Sequence, residues 1–281
     1  MVLRLLMMLC LAAWCAAEDP AFSDAALEEH AQVLQLRLPE HRVLVQRPFV
    51  VITDLDEATR ARALRTVRWS ADLLEKDFFS KPPDGIYDAW LFKDAESYTR
   101  TVTHLTGKPP ISPYGFCVSA TKNIYLNYAT GGGTLIHEMT HAYMHGNFPA
   151  CPAWFNEGLA SLFEAVEEKD GHLRGRPNWR LIGLQQALKA KTAPDFTTLM
   201  VMTPGRFYSD DSGANYGVAR YLCYHLQERG LLIPFYRAFL ANQPDDHTGL
   251  KSLIQVLGTD DLTTLRTEWE AATMKLELPG R

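Results

Sequence analysis

With 281 residues, 47% of them apolar, the chain can bury a sizeable core as one large domain or two interlocked lobes, which excludes disorder over most of its length. A formal charge of -5, with no cluster rich in lysine and arginine, excludes a basic face for nucleic acid.

Residues 1–17 differ in kind from the rest. Arg4 precedes an apolar run over residues 5–13, and small residues at Cys15 and Ala17 suit cleavage before Glu18, so the segment reads as a signal peptide. The run is shorter than the roughly 20 residues that a spanning helix needs. The competing reading is an uncleaved amino-terminal anchor, the one route to membrane attachment that this sequence suggests. Bulky Trp14 disfavours a lipoprotein anchor at Cys15. On either reading the domain is expected outside the cytoplasm, secreted or periplasmic. Cleavage would leave Cys117, Cys151 and Cys223, enough for at most one internal bridge of unspecified pairing. None has C-x-x-C spacing, so cysteine-based zinc or redox chemistry has no support.

Along the remaining chain, residues 25–36 predict a short helix, and residues 43–53 (VLVQRPFVVIT) are rich in strand formers. Leu64, Val67, Ala71, Leu74 and Phe78 recur at intervals of three and four, which predicts a helix over 56–78 with one buried stripe. A strand at 87–92, a helix at 94–105 and a Gly-Lys-Pro-Pro loop follow, then short strands at 115–119 and 123–128. Everything beyond Gly131-Gly132-Gly133 reads as helices joined by loops. That glycine run lacks the G-K-[ST] of a phosphate loop and instead lets the chain turn closely into the next helix. The expected fold is α+β: a mixed sheet with an active-site helix, followed by a mainly helical lobe. Residues 18–281 form one domain on this reading, an α/β lobe over 18–146 and a helical lobe over 147–281, with a cleft between them.

The chemistry concentrates in TLIHEMTHAYMHGNFPACPAWFNEGLASLFE, residues 134–164. On a helix His137 and His141 lie one turn apart on one face, where both rings can reach a single zinc ion at roughly 2.0–2.1 Å. Glu138 is displaced around the helix, so its carboxylate can act on a water at the metal as general base without being a ligand. His145 continues the series but sits about 12 Å of helix rise beyond His137, too far to share an ion. A third ligand must come from elsewhere. Pro149 and Pro152 mark a reversal, and Pro152 suits the first turn of a second helix that packs back on the first. Glu157, Ala160, Ser161 and Glu164 share one face of that helix; Phe155, Leu159, Leu162, Phe163 and Val166 supply its apolar surfaces. Glu157 is the candidate ligand, and Glu164, two turns further on, is either an outer support or a solvated glutamate.

H-E-M-T-H followed by W-F-N-E-G-L-A-S resembles the gluzincin metallopeptidases, especially the bacterial peptidase MA-like proteins, and the second segment is similar to the zinc-ligand segment of aminopeptidase N relatives. The resemblance covers about thirty residues. It implies zinc on His137, His141 and Glu157, Glu138 as catalytic base, and Tyr216 as stabiliser of the tetrahedral oxyanion, with Tyr208 and His225 as weaker substitutes. No G-A-M-E-N-like segment precedes the histidines, which argues against exopeptidase action. Ser161 stands where the thermolysin-like pattern has an aspartate that braces a zinc histidine, so that support must come from another group.

The expected activity is therefore zinc-dependent hydrolysis within a peptide or protein substrate, Glu138 passing a proton from the attacking water to the leaving amine. The strand at 115–119 could take the substrate as an added strand if it lies at an edge; otherwise it is an ordinary inner strand. An inactive zinc-binding scaffold of the same fold is the alternative, and the retention of Glu138 argues against it. A hydrolase of non-peptide amides or esters would use the same chemistry.

Overall fold

The computed structural model describes residues 23–210 and 212–279; the expected signal peptide lies outside them. Helix α1 (Asp24–Arg37) leads into strands β1 (Arg42–Gln46) and β2 (Phe49–Thr53). The strand-rich stretch 43–53 is thus a hairpin. Pro48 cannot donate to a ladder, so the chain turns at Arg47 and Pro48 rather than continuing as one strand. Helix α2 (Glu57–Asp77), capped by the Asp56 carboxylate on the Thr59 amide, buries Val67, Ala71 and Leu74 as the periodicity predicts. Strand β3 (Tyr87–Phe92), helix α3 (Ala95–Thr106), and strands β4 (Gly115–Val118) and β5 (Asn123–Asn127) follow.

The five strands form one sheet in the order β1-β2-β3-β5-β4. Neighbours β2, β3 and β5 run parallel, while β1 and β4 pair antiparallel at the two edges. Alternation along the central strands feeds both faces. Tyr87, Ala89 and Leu91 of β3 join the main core with α2 and the next helix, α4 (Gly132–Asn147), whereas Trp90 and Phe92 pack with Tyr98 and Val102 of α3. A sheet covered on both faces explains why Phe49–Thr53 is buried throughout instead of reading apolar-polar.

Beyond α4 the described residues form helices and one hairpin. Helix α5 (Ala153–Leu162) is followed by β6 (Val166–Lys169) and β7 (His172–Gly175), then α6 (Arg180–Ala190), α7 (Phe196–Met200), α8 (Pro204–Tyr208), α9 (Ala214–Glu228), α10 (Leu232–Asn242), α11 (Leu250–Leu257) and α12 (Leu262–Lys275). The hairpin corrects the all-helical expectation for this half. Asp170 and Gly171 both take positive φ, 55° and 72°, which the tight two-residue hairpin turn requires and an Asp-Gly pair supplies. Val166 consequently belongs to β6 rather than to the apolar face of the second helix. The main core runs without a break from the sheet through α4 and α5 into the helical half. The three described cysteines are unbridged. No helix among the described residues is long and apolar enough to cross a membrane.

Candidate metal centre

Two glycines set the spacing around α4 and α5. A Cβ on Gly133 would stand 1.9 Å from the Glu164 carbonyl oxygen, and one on Gly158 would stand 2.9 Å from the Ala219 carbonyl. Only a residue without a side chain lets α4 approach the end of α5, and α5 approach α9, this closely. Arg220 of α9, fully buried, then donates from Nε to the Ser161 carbonyl at 2.8 Å and holds the carboxyl end of α5. The chain leaves the helix after Leu162. Glu164 therefore sits past the helix, its backbone packed on Gly133, and not on a shared helical face with Glu157.

His137, Glu138 and Glu157 are buried and His141 nearly so. The Nε2 atoms of His137 and His141 face each other at 3.0 Å, and Glu157 Oε2 lies 3.5 Å from the first and 3.6 Å from the second. The opposite sides of the rings meet different neighbours. His141 Nδ1 donates to the Asn156 side-chain oxygen at 3.0 Å, and His137 Nδ1 faces Glu164 Oε1 at 3.2 Å. Neither His137 Nδ1 nor Glu157 Oε2, both buried, makes a hydrogen bond among the described residues, and a proton on each Nδ1 would leave both Nε2 atoms with lone pairs. With His137 neutral, three donor atoms with lone pairs converge on one point. Donors about 2.0–2.1 Å from one tetrahedral ion stand about 3.3 Å apart, close to the triangle seen here. His137, His141 and Glu157 can hold a metal ion.

The surrounding charges favour a cation. Burial opposes ionisation of Glu157 and Glu164, yet His141, His137 and Tyr208 around the first, and His137 and Arg180 around the second, hold both carboxyls at about 2. Burial likewise works against protonation of His137, but Glu157, Glu164 and Glu138 keep it up at about 10, so without metal a proton supplies the positive charge. Burial raises the Glu138 carboxyl above the usual glutamate range, with the two histidines opposing and Glu157 and Glu164 reinforcing the rise.

Glu164, and not Ser161, stands beside the His137 ring. The Ser161 hydroxyl donates back to the Glu157 carbonyl. Glu164 instead accepts a two-pronged contact from Arg180, Nε to Oε2 at 2.9 Å and Nη2 to Oε1 at 2.7 Å, and a bond from Asn178 at 2.8 Å. Arg180 and Asn156 are absent from the sequence reading. Asn156 had a usable signal, since it directly precedes Glu157; Arg180, from a helix beyond the hairpin, had none.

A cavity of about 770 Å³ opens over these groups, lined by β4, α4, α5 and the start of α6. Tyr216 lines it with the Arg180 guanidinium 4.8 Å above its ring. Tyr208 also reaches the site, its hydroxyl donating to Glu157 Oε1 at 2.9 Å and leaving Oε2 to the metal point. His225 does not line the cavity, and His145 lines its far end paired with Asp84 at 3.1 Å. No family model matches the chain, and no curated protein matches it.

Proposed function

We propose that the chain is an exported zinc-dependent endopeptidase of gluzincin type. The observation that carries this reading is the meeting of three lone-pair atoms, from His137, His141 and Glu157, at the floor of a cavity that Glu138 also lines. Zinc held there would supply a Lewis acid, acidifying a water and polarising the scissile carbonyl.

Glu138 takes the proton from the attacking water and delivers it to the leaving amine nitrogen. Its raised carboxyl makes it a better proton acceptor than an ordinary glutamate. Glu164 and Asn156 hold the two imidazoles in the tautomer that presents Nε2, and Tyr208 keeps Glu157 turned. Tyr216 is assigned the stabilisation of the oxyanion.

A peptide is favoured over another amide by β4. Among the described residues it pairs with β5 alone and ends the sheet, and Gly115, Phe116 and Cys117 line the cavity. An extended substrate can bond along such an edge as a sixth strand. Removing metal with a chelator should abolish hydrolysis of an unfolded protein substrate, and zinc should restore it. Glu138→Gln should keep the metal and lose about 10²–10⁴ in turnover. Full activity in that variant would refute the mechanism.

A further inference from the structure

Eleven large apolar side chains stay exposed among the described residues, and four of them, Ile111, Tyr114, Trp179 and Tyr208, line this one cavity. They come from both sides: the loop before β4 supplies Ile111 and Tyr114, while the helical half supplies Trp179 and Tyr208. Ile111 is 85% exposed and Trp179 59% exposed, so neither contributes much to the core. Apolar groups gathered at a cleft mouth mark a binding surface more often than scattered ones do.

The charges of the same wall point the same way. Apart from histidines, its carboxylate and basic side chains are Glu138, Glu157, Glu164 and Arg180. All four sit at the floor: one beside the metal point, one on it, and the other two locked to each other. His145 has its Nδ1 engaged by Asp84. No fixed charge is left over in the described wall to pair with a charged substrate side chain.

Resting on the peptidase reading, we infer that this site selects extended polypeptide segments with bulky apolar or aromatic side chains flanking the cleaved bond. Such side chains are buried in folded proteins, so the substrates are unfolded chains or exposed apolar tails. The edge of β4 binds the substrate backbone, and the four exposed groups cover its side chains.

The test uses the zinc-loaded full chain on a peptide mixture with every residue represented, reading cleavage sites by mass spectrometry, together with peptide binding to Glu138→Gln. Apolar residues should be enriched about tenfold over charged ones beside the cut, and Glu138→Gln should bind apolar peptides about tenfold more tightly than charged ones. Ile111→Ser with Tyr114→Ser should erase most of that preference with metal content unchanged. Equal binding of apolar and charged peptides, or tighter binding of a fatty-acyl amide than of any peptide, would overturn the inference. Hydrolysis of none of the peptides by the wild type, with the apolar binding preference intact, would instead sink the hydrolytic reading and leave the recognition standing.

Discussion

His137 and His145 lie two turns apart on α4, and each turns Nδ1 toward a carboxylate, Glu164 at 3.2 Å and Asp84 at 3.1 Å. The contacts are nearly the same length, yet their settings differ. The first pair has side chains 11% and 14% exposed, with Arg180 closing the far side of the carboxylate; the second has 41% and 36%, open to water. The first fixes a ring whose other nitrogen meets two more lone-pair atoms, and the second ends at the rim. Histidine spacing along a helix therefore does not make a metal site by itself. The buried carboxylate arriving from α5, and the brace behind the ring, do.

That contrast can be broken at three strengths. Glu164→Gln keeps the shape of the brace but loses its charge and the ion pair with Arg180, so metal affinity should fall by about 10–100-fold in a competition titration with a chelator. An unchanged affinity would reduce Glu164 to packing. Next in size is the effect of pH. Because His137 is held at about 10 in the metal-free protein, a metal must displace its proton, and apparent affinity should rise by up to about tenfold per pH unit, flattening above about 10. Glu157 and Glu164, held at about 2, stay ionised across that range and add no slope. Calorimetry at neutral pH in buffers of different ionisation heat should report about one proton released per ion; none released would contradict the charge scheme. Smallest is His145→Ala. Asp84 keeps Lys122 at 2.7 Å, the pair is open to solvent, and the variant should lose less than about 1 kcal/mol in denaturant unfolding with metal affinity unchanged.

Local patterns carried the sequence reading furthest where chemistry is local. Strand-former composition and three-four spacing predict the sheet strands and α2, and the four-residue spacing of His137 and His141 with the proline-marked reversal points to Glu157 as their partner. Readings that needed the chain to stop a helix went astray. Glu164 and Val166 continue the periodicity of α5 on paper, but α5 ends at Leu162, where Arg220 donates to its last carbonyls, and the Asp-Gly pair at 170–171 closes a hairpin instead. The brace on His137 then combines Glu164 with Arg180 from α6, a contact set by the packing of α5 and α9 that no spacing encodes. The family resemblance gives Tyr208 only as a substitute for Tyr216. Its contact with Glu157 depends on where short α8 docks, which the sequence does not specify.

Under the proposed function, donor atoms of His137, His141 and Glu157 from α4 and α5 hold one zinc ion. Metal analysis of the purified chain with zinc-edge X-ray absorption tests it most directly. The account predicts one zinc per chain bound by nitrogen and oxygen donors alone, with two imidazoles in the shell, and binding sharply weakened in Glu157→Ala and His141→Ala. A shell containing sulfur, or full zinc retention in both variants, would contradict it.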